Sequence, residues 1–109
     1  YAVAGQAMRR IMVDHARARF ALKRGGRGVR ISLDEGANLV DERAAELLAL
    51  DEALIDLAKL DERKSRIVEL RYFGGLSVEE TAKVLRVSAV TVMRDWRSAK
   101  GWLRRAITA

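Results

Sequence analysis

An all-α fold follows from three features of the sequence. Apolar residues recur at spacings of three and four along several segments, no segment alternates apolar and polar residues as a half-buried strand would, and the periodic segments are punctuated by glycine pairs and by Ser or Asp residues that open helices. At 109 residues the chain fits one small domain, or one small domain with a piece of a second. The absence of cysteine excludes a disulfide framework, a thiolate nucleophile and a thiolate metal site, and a single histidine argues against a His-rich metal site. No apolar run approaches the roughly 20 residues of a membrane helix. No signal peptide is visible, and the chain opens at Tyr1 rather than Met, so it reads as a cut piece of a cytoplasmic protein with no membrane partner.

The first helix is expected over residues 2–23. Ala2, Val3, Met8, Ile11, Met12, Ala16, Phe20 and Leu22 form its apolar stripe, and Arg9, Arg10, Arg17, Arg19 and Lys23 occupy the other faces. Gly25, Gly26 and Gly28 break the pattern. Residues 29–40 show no sustained period and read as a linker, with a short helical turn opened by Ser32 and supported by Glu35. Periodicity returns over Asp41–Leu60, where Leu47, Leu48, Leu50, Leu54, Ile55, Leu57 and Leu60 oppose an acidic face of Glu42, Glu46, Asp51, Glu52 and Asp56. Asp61 is positioned to cap a helix over residues 62–73, carrying Ile67, Val68, Leu70, Tyr72 and Phe73 and ended by Gly74-Gly75. Ser77 with Glu80 makes a capping box for a short helix over 78–85, and after Arg86-Val87 a long helix opened by Ser88 runs over 89–106.

Charge is segregated along the chain. Residues 1–30 hold eight Lys/Arg and one acid, residues 31–80 hold thirteen acids and six bases, and residues 81–109 hold seven bases and one acid. Two basic ends around an acidic middle match the footprint of nucleic-acid binding, in which Lys and Arg displace counterions from phosphates, and equally match a solvated surface. Arg outnumbers Lys sixteen to five, which suits bidentate contacts to phosphate or guanine.

The stretch Leu76–Trp96 has the layout of a helix-turn-helix: a capped two-turn helix, a three-residue turn and a second capped helix. Ala82 stands where the second helix must cross closely, and Leu85 and Val87 bracket the turn and point inward. Val92, Trp96, Ala99 and Leu103 form one inward stripe. The side turned away holds Thr91, Arg94, Arg97, Ser98 and Gly101, and Arg and hydroxyl groups are what base edges and phosphates require. Arg86 occupies a turn position usually given to glycine because of its positive φ, at a cost of about 1 kcal/mol. A plain helical hairpin is the alternative reading of the segment.

These residues resemble a known family. Leu47–Leu60, Asp61–Phe73, the run Gly74-Gly75-Leu76-Ser77-Val78-Glu79-Glu80-Thr81-Ala82 and the run Val87-Ser88-Ala89-Val90-Thr91-Val92 are similar to region 4 of bacterial RNA polymerase sigma factors, above all those of the extracytoplasmic-function group. Arg94-Asp95-Trp96-Arg97 with Trp102-Leu103-Arg104-Arg105 strengthens that likeness. Tyr1-Ala2-Val3-Ala4 with Met8–Arg19 looks like the end of sigma region 2. The resemblance implies three parts: residues 1–24 as the C-terminal helix of a truncated region 2, residues 25–40 as a basic glycine-containing linker, and residues 41–109 as a region 4 helix-turn-helix domain of about four helices.

Function follows as an expectation from the same resemblance. The chain would bind the promoter −35 element within a sigma factor that directs RNA polymerase to promoters for transcription initiation. It would have no catalytic activity, cofactor or metal. Met93, Arg94, Arg97 and Ser98 would face the bases, and Ser88, Thr91 and Lys100 would mainly touch the backbone. Met93 departs from the family, where a basic residue is usual. The β flap of the polymerase core would dock on the apolar cleft of helices 41–60 and 62–73, with Leu54, Leu57, Ile67 and Leu70 as the candidate contacts. An anti-sigma factor is a candidate partner. With only the last helix of region 2, the chain would not open a promoter alone. Arg9, Arg10, Arg17 and Arg19 would belong to the surface that meets −10 DNA in the whole protein, and the first helix, with Ile11, Met12 and Phe20 otherwise exposed, would pack on region 4 or on another chain. The sequence also admits two alternatives: a polymerase-independent helix-turn-helix regulator, favoured by palindromic sites and two-fold association, and a helical module that binds an acidic protein.

The remaining features have plainer readings. His15 is a surface or structural histidine with no partner constellation. The acids of residues 34–62 form a solvated face. Gly25-Gly26-Arg27-Gly28 lacks the context of a phosphate loop. Trp96 belongs to the core, and Trp102 lies half exposed against the helix of residues 41–60. No nucleophile–base pair supports an enzyme.

Overall fold

The computed structural model describes the backbone of residues 2–25 and 35–108 and the side chains of residues 5–19 and 42–108. The described residues form five α-helices and no strand: α1 (Ala2–Gly25), α2 (Glu35–Leu60), α3 (Glu62–Val68), α4 (Val78–Leu85) and α5 (Ala89–Thr108). The expected turn at Ser32, the break at Gly26 and Gly28 and the side chain of Phe20 lie outside the described residues. α2 begins at Glu35, not at the expected Asp41. Adding residues to an existing helix is far easier than nucleating one, so the strongly periodic stretch after Asp41 carries the weakly patterned 35–40 into the helix.

α3 opens as the sequence predicts. The Asp61 carboxylate accepts from the Lys64 N–H at 3.2 Å. The expected single helix over 62–73 is not uniform: Glu69–Phe73 widens into a π-helical turn that continues α3. The Gly74 N–H donates to the Glu69 carbonyl at 3.1 Å, and the Leu76 N–H reaches back to the Leu70 carbonyl at 3.1 Å. Gly75 makes that return possible with φ of 71°, a backbone conformation that glycine adopts without steric cost. The wide turn suits a segment covered on two sides. Ile67, Val68, Glu69 and Leu70 are all buried, because α1 closes over one flank of the segment and α4 and α5 over the other.

Two apolar clusters make the core. Ala53, Leu54, Leu57, Val68, Phe73, Ala99 and Leu103 form the first, with Leu47, Leu50 and Trp102 packed against it. Ile67, Ala82 and Val92 form the second, with Val78, Leu85 and Val87 at its edge. Trp96 is half-buried and touches both, so its ring joins the α2–α5 core to the α4–α5 core.

α1 packs on the rest of the chain, as its apolar stripe requires. It lies against α2 and the π-helical turn and buries Gly5, Val13 and Ala16. The approach is close where Gly5 meets Gly74: a Cβ on Gly74 would lie 3.4 Å from the Gly5 Cα and 2.6 Å from the Leu70 carbonyl oxygen. Met12 joins the core, whereas Ile11 stays 61% exposed. Polar contacts fix the same seat. Arg9 donates through Nε to Asp51 Oδ1 at 2.6 Å, through Nη1 to Glu69 Oε2 at 3.0 Å and through Nη2 to the Asp51 carbonyl at 3.2 Å. Arg9 therefore faces inward, not toward the DNA surface the sequence suggested for it. A guanidinium matches this task because its fixed fork can serve two carboxylates at once.

Candidate nucleic-acid interface

The helix-turn-helix is assembled from local bonds. The Ser77 hydroxyl accepts from the Glu80 N–H at 3.1 Å while the Glu80 carboxylate accepts from the Ser77 N–H at 2.8 Å, the reciprocal capping box expected at the start of α4. Thr81, fully buried, donates its hydroxyl to the Ser77 carbonyl at 2.8 Å. Arg86 ends α4 in the left-handed conformation, φ 59° and ψ 47°, and the Val87 N–H then bonds the Ala82 carbonyl at 3.1 Å. The turn geometry thus holds with a non-glycine residue. Ser88 opens α5: its hydroxyl accepts from the Thr91 N–H at 3.1 Å and donates to the Thr91 hydroxyl at 2.9 Å.

α5 is two-faced. Val92, Asp95, Ala99 and Leu103 are buried. Val90, Met93, Arg94, Arg97, Ser98 and Lys100 are exposed, and Thr91 is half-buried beside its cap. The expected base-facing residues Met93, Arg94, Arg97 and Ser98 thus lie on the outer side of one helix. Ser88 and Thr91 sit at its first turn, where N–H groups and the positive end of the helix dipole favour an anion. Lys100 folds back so that its ammonium lies 5.4 Å from the centre of the Trp96 ring, and the Arg71 guanidinium lies 4.7 Å from the same ring. Gly101, expected on the outer side, is half-buried.

Asp95 is the residue that sequence reasoning missed. It is 4% exposed and accepts from Arg63 Nε at 2.7 Å, which ties α3 to α5, and its other oxygen lies 3.9 Å from Nε of the adjacent Arg94. Its position was legible, since it falls three residues after Val92 and four before Ala99 on the inward side. A buried carboxylate requires a partner, and the exposed-face base Arg63 at the start of α3 is the signal that could have identified it.

The expected flap contacts require correction. Leu54, Leu57, Ile67 and Leu70 are 0, 2, 0 and 1% exposed, so they are core and present no surface to another protein. Open apolar surface lies elsewhere, in two neighbouring grooves: one of about 710 Å³ between α1 and α2, lined in part by Ile11, Met12, Ala16, Ala44 and Leu47, and one of about 550 Å³ lined by Met12, Arg43, Glu46, Leu47, Leu50, Tyr72 and Ile107. His15 is exposed, as expected. Among the described residues no three His, Cys, Asp or Glu side chains are grouped to hold a metal ion, and no helix is long and apolar enough to cross a membrane.

Comparison with known proteins bears on this interface. The family model described as ECF sigma factor matches residues 1–109. No curated protein and no solved structure matches the chain.

Proposed function

The chain belongs to the ECF sigma factor family, whose members bind RNA polymerase and promoter DNA in transcription initiation, and from that premise we propose that α5 reads the promoter −35 element in the major groove. The observation that carries the reading is the division of α5 into a fully packed inner side and an outer side of Arg94, Arg97 and Ser98, opened by the Ser88 cap. A rigid helix held by its inner side can present guanidinium forks to base edges at fixed height, which is what bidentate recognition of guanine demands. In this reading Ser88, Thr91 and Lys100 hold the phosphate backbone and Met93 stands among the base-facing side chains.

The polymerase β flap is assigned to the groove of Met12, Leu47, Leu50, Tyr72 and Ile107, an open apolar surface of the kind that receives an amphipathic helix. An anti-sigma factor would compete for polymerase-binding surfaces of this kind.

The experiment is binding of the chain, assembled with core polymerase, to promoter duplexes by fluorescence anisotropy over a range of salt. Arg94→Ala and Arg97→Ala should each cost about 1–3 kcal/mol and relax the sequence preference, while Lys100→Ala should lower the salt slope by about one. If both arginine variants bind as the parent does, α5 is not the reading helix. Calorimetric titration with the isolated β flap addresses the partner: no binding near about 100 μM, a limit of roughly −5 to −6 kcal/mol, would argue for a free-standing regulator instead.

A further inference from the structure

Two apolar side chains stand on the outer side of α5 where a DNA-reading helix would carry polar ones. Val90 is 70% exposed and Met93 is 49% exposed. Neither is needed by the core, since Val92, Ala99 and Leu103 already fill the inner side of the helix. Val90, Met93 or Arg94, and Arg97 follow one another at the three- and four-residue steps of a single helix face, directly after the Ser88 cap. The apolar pair is thus continuous with the arginines and occupies the first two turns, the part of a recognition helix that enters the groove most deeply.

We propose that Val90 and Met93 form an apolar reader for the C5-methyl group of thymine, which makes part of the recognised element thymine-specific. The inference rests on α5 being the DNA-reading helix. Its basis is the chemistry of the major-groove edge. Guanine, cytosine and adenine present only hydrogen-bond donors and acceptors there, and thymine alone adds an apolar group. A polar edge pressed against Val90 or Met93 would lose its water and gain no partner. A methyl group in the same place loses water with profit to both surfaces. At about 1.5 Å of rise per residue, Val90 and Arg97 stand roughly 10 Å apart along the helix, about three base-pair steps of roughly 3.4 Å, so apolar and guanidinium contacts fall on different base pairs of one short element. Met93, which the family resemblance marks as a missing basic contact, becomes a different contact, and its unbranched thioether can adapt to the methyl it meets.

The test starts from duplexes selected out of a random library by polymerase carrying this chain. Each thymine is then replaced in turn by deoxyuridine, which removes the methyl group and nothing else. At one or two adjacent positions the replacement should weaken binding about threefold to fivefold, the worth of one buried methyl-sized group. Val90→Ala or Met93→Ala should abolish that difference at its own position, and both variants should keep the parent melting temperature because the side chains are exposed. Cytosine placed at a sensitive position should bind better when it is 5-methylated. If deoxyuridine is tolerated everywhere while Arg94→Ala still weakens binding, the methyl reader is refuted and the recognition helix stands. If deoxyuridine, Arg94→Ala and Arg97→Ala are all without effect, both readings fall.

Discussion

Arg9 offers the sharpest test of how α1 is held. Its guanidinium serves the carboxylates of Asp51 and Glu69, whose side chains are 10% and 11% exposed, and is itself 17% exposed. Truncation to Ala removes the shared donor and leaves two enclosed carboxylates facing a void. Breaking a buried ion pair from one side costs roughly 3–5 kcal/mol, most of it the penalty of the stranded charge. Arg17 moderates the loss, because its Nη2 lies 3.7 Å from Asp51 Oδ2, but it is 62% exposed and its help is weakened by solvent. The expected cost of Arg9→Ala is therefore about 3 kcal/mol. In a domain near 100 residues this lowers the melting temperature by roughly 12–20 °C.

The assay is thermal and urea unfolding followed by circular dichroism, with Arg10→Ala as the control. Arg10 is exposed on the next position of the same helix, and its removal should stay within about 0.5 kcal/mol. A triple variant, Arg9→Met with Asp51→Leu and Glu69→Met, should recover most of the stability lost in Arg9→Ala, since apolar replacements of a buried ionic group are often neutral or better. Equal melting temperatures for Arg9→Ala and Arg10→Ala would refute the latch, and the seat of α1 would then rest on the packing of Gly5, Met12, Val13 and Ala16.

Three further outcomes follow from local geometry, each read by urea unfolding. Ser77→Ala removes one half of the capping box of α4 and should cost about 1 kcal/mol. Gly74→Ala places a methyl group 2.6 Å from a backbone oxygen and should cost roughly 1–3 kcal/mol, whereas Gly75→Ala meets nothing within 4 Å and should lose only the roughly 1 kcal/mol of its left-handed backbone. Arg86→Gly should gain about 0.5 kcal/mol, the relief of φ 59° less the added freedom of glycine in the unfolded chain, and Arg86→Val should lose stability instead.

Elements governed by near neighbours were readable in the sequence. The Asp61 cap, the Ser77–Glu80 box, the span of α4 and the left-handed Arg86 each depend on residues within one helical turn, and each is present. The packing of Val92, Ala99 and Leu103 followed from helical period, and that of Ala82 from the close crossing that a helix-turn-helix imposes. Features that depend on distant partners were not readable. The π-helical turn after α3 lies where α1 and α4 pack against the same segment, and nothing within 62–73 announces it. The flap candidates failed for a related reason: Leu54, Leu57, Ile67 and Leu70 were chosen for being apolar, and that property is what draws them into the core. Exposed apolar residues such as Val90 are recognised only once the core is known to be filled without them.

The segregation of charge shows how one sequence signal can have two physical causes. The basic start and acidic middle of the chain are partly complementary to each other: Arg9 closes on Asp51 and Glu69 across separations of 42 and 60 residues, and Arg17 approaches the same aspartate. That share of the asymmetry stabilises the seat of α1 and is withdrawn from any nucleic acid. The basic end behaves differently. Its one acid, Asp95, is buried and held by Arg63, while Arg94, Arg97, Lys100, Arg104 and Arg105 remain exposed on α5. A charge imbalance that survives burial is the one that can displace counterions from DNA. The salt dependence of promoter binding should accordingly respond to substitutions on α5 and not to Arg9, whose removal should change stability and leave the salt slope unaltered.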